Sequence, residues 1–203
     1  MATIGVDKLD EIKKYYREGM SVREISNKLK TPFNATFYFF RKYKISRRSP
    51  KDNNAIQFAK KPLSFKIKSQ LSLEEEKLKI AAIMLYWGEG SKRGHTVDLA
   101  NSDIAVVEIF LKFLRQICKV DEERLRVYTY CYGNQNLDSI LGYWSGITKI
   151  PLSQFSKPYI REDYSNKVSR QMKYGMIHIR YNDKKLLLII KNWINEFIEK
   201  NCK

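Results

Sequence analysis

The sequence has few of the residues that commonly ligate metals or cross-link chains. Its three cysteines form no Cys-x-x-Cys pair, and His95 and His178 are its only histidines. This small supply of ligands argues against a structural zinc site. An odd number of scattered thiols is typical of a protein from a reducing compartment.

Long apolar runs are also absent. No stretch approaches the roughly 18 apolar residues that cross a membrane, and the opening residues MATIGVDKLDE lack the apolar core of a signal peptide. We therefore expect a cytoplasmic, nucleoid-associated protein without a membrane partner. Of the 203 residues, 43% are hydrophobic and 13% are aromatic, which suits a folded core and excludes a disordered basic tail.

Acidic residues are scarce beside basic ones. The chain contains 38 lysines and arginines against 22 aspartates and glutamates, which gives a net charge of +16. Residues 1–70 hold 17 of the basic residues and only 6 of the acidic ones. Because the positive charge is concentrated, we expect a polyanionic partner, and nucleic acid is the commonest one.

Residues 1–45 have the hydrophobic spacing of three short helices. The first helix covers about 7–18, and the second begins at a capping box formed by Ser21 and Glu24. The third helix runs over about 32–43, with a proline at its start. The stretch GMSVREISNKLKTPFNATFYFFRKYKI resembles the helix-turn-helix of many bacterial and archaeal DNA-binding proteins.

In helix-turn-helix proteins the recognition helix enters the major groove of DNA. The resemblance therefore implies that the third helix faces DNA through four residues: Asn34, Thr36, Tyr38 and Arg41. A three-helix bundle without a role in DNA binding is the alternative. The basic charge of this region favours DNA binding over that alternative.

Residues 46–71 are predicted to form a basic linker. Pro50, Pro62 and the serine and asparagine content argue against one continuous helix. The segment holds seven basic residues and a single acid, so it suits contacts with DNA phosphates. Arg47 and Arg48 are its first two basic residues, and we expect both to bind DNA.

Residues 72–203 alternate between helical and strand-like patterns, which predicts an α+β domain. In the strand-like stretch RLRVYTYCYG, the period of two places five residues outward: Arg124, Arg126, Tyr128, Tyr130 and Tyr132. In the stretch GMIHIRY, His178 and Arg180 are placed outward. Arginine, tyrosine and histidine suit contacts with phosphates and base edges. The alternative is a half-buried face whose tyrosines pack under neighbouring loops.

An apolar helix of this domain ends in Gly-Glu-Gly, and Lys92 and Arg93 follow shortly after. The stretch AIMLYWGEG at 82–90, with the order of elements after it, resembles the LAGLIDADG domain of homing endonucleases. The resemblance implies a four-stranded, largely antiparallel saddle sheet that lies on DNA. It also implies that Glu89 is a catalytic acid that binds Mg²⁺ for phosphodiester hydrolysis, with Lys92 and Arg93 beside the phosphates.

Only one copy of the motif is visible in the sequence. Because members with a single motif act as symmetric dimers, the resemblance implies a homodimer that meets through the helix at 78–88. A two-fold dimer in turn implies a roughly palindromic DNA site.

Three functions remain open on these grounds. The chain is a sequence-specific double-stranded DNA-binding protein, for example a regulator, or an active homing-type endonuclease, or an RNA-binding basic protein. No RNA-binding signature is visible, which disfavours the third function. Retention of Glu89 favours cleavage, whereas Asp98 is the only other acid near it in sequence, which favours binding alone. We favour DNA binding.

Overall fold

The structure, a computed structural model, describes residues 4–162 and 172–202. It is of the mixed α+β class, and its described residues form eight α-helices and one four-stranded sheet. The chain divides into two compact units, Met1–Pro62 and Leu63–Lys203. None of the described helices is long and apolar enough to cross a membrane.

The first unit consists of helices connected by short turns. The helices are α1 (Leu9–Arg17), α2 (Val22–Lys28), α3 (Phe33–Lys42) and α4 (Pro50–Lys60). The capping box predicted before α2 is present, since the Ser21 amide donates to Glu24 at 2.6 Å and the Glu24 amide donates to the Ser21 hydroxyl. The buried core of the unit is formed by Ile12, Ile25, Phe39 and Phe40.

Helix α4 lies in the segment that we predicted to be a basic linker. The Ser49 side chain accepts a hydrogen bond from the Asp52 amide, and Pro50 occupies the first turn, where its missing N–H costs nothing. Gln57 on this helix donates to Glu24 at 3.0 Å. Residues 46–71 therefore do not form one continuous helix, but 50–60 form a helix that the sequence did not predict, because Pro50 starts this helix rather than breaking it.

The second unit combines four helices with the sheet. The helices are α5 (Leu73–Glu89), α6 (Ile104–Gln116), α7 (Leu137–Thr148) and α8 (Lys184–Asn201). The strands are β1 (Val97–Asn101), β2 (Leu125–Tyr132), β3 (Tyr159–Arg161) and β4 (Met176–Tyr181). Their order in the sheet is β1-β4-β2-β3, with two antiparallel pairs and one parallel pair between β2 and β3.

The helices and the inward side of the sheet share one hydrophobic core. On β2 the buried residues alternate with partly exposed ones, as the period of two predicted. The same alternation holds on β4, where Ile177, Ile179 and Tyr181 are fully buried. Residues 63–71 belong to this unit because Phe65 bridges to Val120 beside the sheet. This contact moves the boundary between the units ahead of 72, where the sequence had suggested it.

Candidate nucleic-acid interface

The side of the sheet that faces away from the core carries polar and aromatic side chains. We call it the open sheet face, and its central residues are Asp98, Arg126, Tyr128, Tyr130, His178 and Arg180. Five of these six were predicted from the sequence to point outward on their strands. Since β4 lies between β1 and β2, the structure brings all six together on one surface.

Asp98 holds two basic side chains at the centre of this face. Its Oδ1 lies 2.9 Å from Nδ1 of His178, and its Oδ2 accepts a hydrogen bond of 2.8 Å from Nε of Arg180. Burial acts to raise the pKa of Asp98, but the hydrogen bonds and charges of His178 and Arg180 outweigh it. The pKa of Asp98 therefore lies below its usual range, and the carboxylate stays ionised at neutral pH.

Aromatic rings line the part of the face nearer β3. The rings of Tyr130 and Tyr159 stack with their centroids 5.1 Å apart, and Tyr132 meets Tyr130 edge-on at 6.0 Å. Closer to β1, the Arg180 guanidinium lies 4.7 Å from the centroid of Tyr128. Tyr128 and Tyr130 are half-buried, and Tyr128 meets the His178 ring edge-on at 5.3 Å. The open sheet face thus has an arginine end and a tyrosine end.

A polar cleft of about 330 Å³ adjoins the arginine end. We call it the arginine cleft. Its lining includes Arg93, Asp98, Arg126, Ser156, Arg180 and Asn182. Arg93, predicted from sequence to stand beside phosphates, thus shares a cavity with two arginines that follow it by more than thirty residues.

Glu89 is the last residue of α5, and its side chain is exposed. Directly after it, Gly90 bridges to Leu99, and the Ser91 amide donates to the Asp98 carbonyl at 2.8 Å. The end of α5 therefore lies along the free edge of β1. Tyr86 fixes this junction, since its buried hydroxyl donates to the Ser91 carbonyl at 2.6 Å, and burial raises its pKa to about 12.

Metal ligands are not assembled by this chain within its described residues. They contain no group of three histidine, cysteine, aspartate or glutamate side chains that could hold an ion. Both carboxylate oxygens of Asp98 are engaged by basic residues, so Asp98 is not a free ligand beside Glu89. Glu89 is the acid of this region whose chemistry suits Mg²⁺.

No protein-family model matches the chain, and no curated protein matches it. The assignment of a function therefore rests on the residues and their geometry.

In the first unit, three of the four residues predicted to face DNA on α3 are exposed. Asn34, Tyr38 and Arg41 point to solvent, with Tyr38 63% exposed. Thr36 is fully buried, and its hydroxyl bonds to that of Thr31 at 2.9 Å. The expectation that Thr36 contacts DNA was therefore wrong, because its position on the helix places its hydroxyl against Thr31 in the turn before α3.

Arg47 and Arg48 have different surroundings although they are adjacent. Arg47 is exposed, with its guanidinium 4.5 Å from the centroid of the Phe37 ring. Arg48 is tied to the unit itself, because its side chain donates to the backbone carbonyls of Tyr16 and Met20 and lies over the Tyr16 ring. The expectation that Arg47 binds DNA stays a prediction, whereas the Arg48 side chain is engaged in contacts within the first unit.

Two further predicted residues lie beside the interface. Arg124 precedes β2 in a short 3₁₀ turn, and its guanidinium donates to the Asn182 carbonyl at 2.7 Å. It is therefore not on the strand face where the sequence pattern placed it. Lys92 is exposed, and its ammonium lies 3.4 Å from the Gly88 carbonyl near the negative end of α5.

The sequence did not identify Asp98 as the residue that organises this face. In the stretch HTVDLANSD, Asp98 alternates with Val97 and Leu99, which are both buried. What the pattern lacked was the pairing of β1 with β4, which sets Asp98 beside Arg180. Ser156 and Asn182, which line the arginine cleft, lie outside the strands and give no periodic signal.

Proposed function

We propose that the chain is a sequence-specific double-stranded DNA-binding protein that joins a helix-turn-helix to a LAGLIDADG-like domain. The observation that carries this proposal is the open sheet face, where arginines and tyrosines converge on one surface. Such side chains contact phosphates and base edges in nucleic-acid interfaces. A net charge of +16 supplies the long-range attraction to a polyanion.

The first unit supports the same proposal. Helix α3 presents Asn34, Tyr38 and Arg41 to solvent, and this set resembles the side chains that recognition helices use on base edges and phosphates. Arg47, stacked on Phe37, adds a cation close in sequence to the end of this helix. Both units therefore offer basic surfaces, and we propose that both bind the same duplex.

The proposed homodimer is supported by α5. Three large apolar residues of this helix are spaced by seven and remain 43–72% exposed: Leu73, Ile80 and Trp87. A spacing of seven places them on one side of the helix, as at a helix–helix interface. Another side of the helix, with Ala82, Ile83 and Tyr86, is buried in the unit, so the helix is apolar on two sides. The exposed side supports a second copy of the chain as partner.

Metal-dependent cleavage is the second candidate function. Its support is the exposed carboxylate of Glu89 at the end of a helix that is tied to the sheet edge. In the proposed dimer each copy would supply one Glu89 toward Mg²⁺, which would assist phosphodiester hydrolysis. Because Asp98 is engaged by His178 and Arg180, the described residues offer no group of acids that could hold a metal ion together with Glu89. We therefore place DNA binding before cleavage.

The experiment that tests the proposal is selection of duplexes from a randomised pool by the full-length protein. The selected duplex should bind with an affinity that falls steeply with salt, with a slope of log K against log [salt] of about −5 or steeper. Arg41→Ala on α3 and Tyr130→Ala on the open sheet face should each weaken binding about tenfold. Lys112→Ala on the helical side of the second unit is the matched control and should change little.

Three outcomes separate the candidates. Absence of duplex binding, or equal binding to single-stranded RNA of the same sequence, would contradict the proposal and favour an RNA partner. Binding without cutting in Mg²⁺ or Mn²⁺ would support a regulator. Double-strand cuts that require the metal and disappear in Glu89→Gln would establish the nuclease.

A further inference from the structure

Two arginines lie directly opposite each other on neighbouring strands of the open sheet face. In the antiparallel register Arg126 faces Arg180, and on the other side of β4 Arg180 faces Asp98. Like charges in directly opposed positions destabilise a sheet. Asp98, Arg180 and Arg126 thus form a row across three strands. Asp98 offsets only one of the two positive charges, so this row keeps an excess positive charge.

Arg93 brings a third guanidinium to the same place from the loop after α5. Among the described residues that line the arginine cleft, Asp98 is the only acid, against Arg93, Arg126 and Arg180. The cleft therefore carries a net positive charge within a volume of about 330 Å³. A cavity of this charge favours an anion, and guanidinium groups bind phosphate oxygens through paired hydrogen bonds.

Contacts with the protein hold two of these arginines in position. Each of the two still has guanidinium N–H groups that can donate to a ligand. Arg180 uses Nε on Asp98, and within residues 4–162 and 172–202 no protein atom accepts a hydrogen bond from its two terminal nitrogens. Arg126 uses one terminal nitrogen on the carbonyls of Glu123 and Leu125, at 2.6 and 2.7 Å. Because both side chains are already ordered, an anion that binds them has less conformational entropy to remove.

The cleft is large enough to hold a phosphate group. At ~30 Å³ per water molecule, its volume corresponds to about ten waters, which leaves room for one phosphate with part of its hydration. Ser156 and Asn182 add neutral polar side chains to the wall.

We propose that the arginine cleft is a phosphate-binding site that takes one backbone phosphate of the bound DNA. The choice of DNA as the source of the phosphate rests on the proposed function, whereas the affinity for phosphate itself does not. A phosphate held between Arg126 and Arg180 relieves their repulsion and fixes the register of the duplex on the open sheet face.

The first test uses inorganic phosphate with the full-length protein and no DNA. All three tryptophans lie in the second unit, so their fluorescence follows its thermal unfolding. Phosphate should raise the Tm of the wild type by about 3 °C over chloride at equal ionic strength. Arg126→Gln and Arg180→Gln should lose this shift, and Lys112→Gln, an exposed change of equal charge on α6, should keep it.

Arg126→Gln also separates binding from misfolding. Because the substitution removes one of two opposed charges, its Tm in chloride should equal or exceed that of the wild type. A variant that is stable in chloride but insensitive to phosphate has lost the site and not the fold.

The second test uses the selected duplex. Arg126→Gln and Arg180→Gln should each weaken binding several-fold and reduce the magnitude of the salt slope by about one, whereas Lys112→Gln should leave both unchanged. If DNA binds but the cleft variants behave like Lys112→Gln, the arginine cleft does not bind a phosphate of the DNA, while the proposed function stands. If DNA does not bind but the phosphate shift requires Arg126 and Arg180, free phosphate is the ligand and the proposed function fails. An equal phosphate shift in all four proteins would overturn the site altogether.

Discussion

Nδ1 of His178 lies 2.9 Å from Oδ1 of Asp98, on the neighbouring antiparallel strand of the sheet. The same carboxylate accepts a hydrogen bond from Arg180, and its side chain is only 18% exposed. The ionised form of Asp98 is thus stabilised in the folded protein by two basic neighbours. This arrangement gives the stability of the second unit a defined dependence on pH.

Asp98→Asn should lower the free energy of unfolding at about pH 7 by ~1–2 kcal/mol, because charged hydrogen bonds to His178 and Arg180 are lost. The folded pKa of Asp98 is depressed, so its contribution is complete above the unfolded pKa, near 3.8, and is lost as pH falls through the folded pKa. The difference between wild type and variant should therefore shrink below about pH 4. Urea unfolding followed by tryptophan fluorescence at each pH measures this difference in the free energy of unfolding.

Asp138→Asn is the control for this measurement, since Asp138 is exposed in the first turn of α7. It should change the free energy of unfolding by less than about 0.5 kcal/mol at either pH. A difference for Asp98→Asn that grows in acid would contradict the assignment of a depressed pKa.

The two glycines around Glu89 should respond differently to alanine. A Cβ on Gly90 would lie 2.4 Å from the ring of Tyr86, which is fully buried and cannot retreat, so Gly90→Ala should cost about 1–3 kcal/mol. A Cβ on Gly88 would meet no atom within 4 Å. Gly88→Ala should therefore be neutral or stabilise the helix by up to about 1 kcal/mol. Thermal unfolding of both variants tests this pair, and equal costs would contradict it.

Arg47 and Arg48 should separate affinity from stability. Arg48→Ala removes the donor to the carbonyls of Tyr16 and Met20, and we expect faster hydrogen exchange in α1 and α2, by the equivalent of about 1–3 kcal/mol. Arg47→Ala should change exchange little but weaken binding to the selected duplex. Mass spectrometry on peptides from 9–28 measures the exchange.

Lys149 occupies the left-handed region at the end of α7, with φ of 60° and ψ of 20°. Its amide donates to the Ser145 carbonyl, so the conformation is fixed by the helix end. Lys149→Gly should stabilise the second unit by about 1 kcal/mol, because glycine adopts this region without steric cost. Lys149→Ala, which removes the charge but keeps the Cβ, should be near neutral. A gain in the alanine variant equal to that in the glycine variant would instead indicate a charge effect.

Local features of the fold were predictable from the sequence. The capping box before α2 was found because a serine and a glutamate three residues apart satisfy each other's backbone donors without outside help. The inward and outward sides of β2 and β4 followed from the period of two, which a strand imposes whatever it pairs with. Glu89 was likewise placed correctly at the end of its helix.

Features that depend on the exact rotation of a helix about its axis, or on the residue that starts a helix, were missed. Thr36 was expected to face outward, but α3 turns it into the contact with Thr31. The helix over 50–60 was overlooked because a proline can start a helix as well as end one. Arg48 looked like a free cation in a basic segment, and its acceptors are carbonyls about thirty residues earlier.

The sequence by itself determined most of the helices, the alternation of the strands and the excess of positive charge, because each depends on neighbours close along the chain. Only the tertiary structure decided the strand order β1-β4-β2-β3, which sets Asp98, Arg180 and Arg126 in one row across three strands. It also decided that Arg93 joins them in the arginine cleft. Pairing between distant strands depends on how the whole core packs, and no local pattern encodes it.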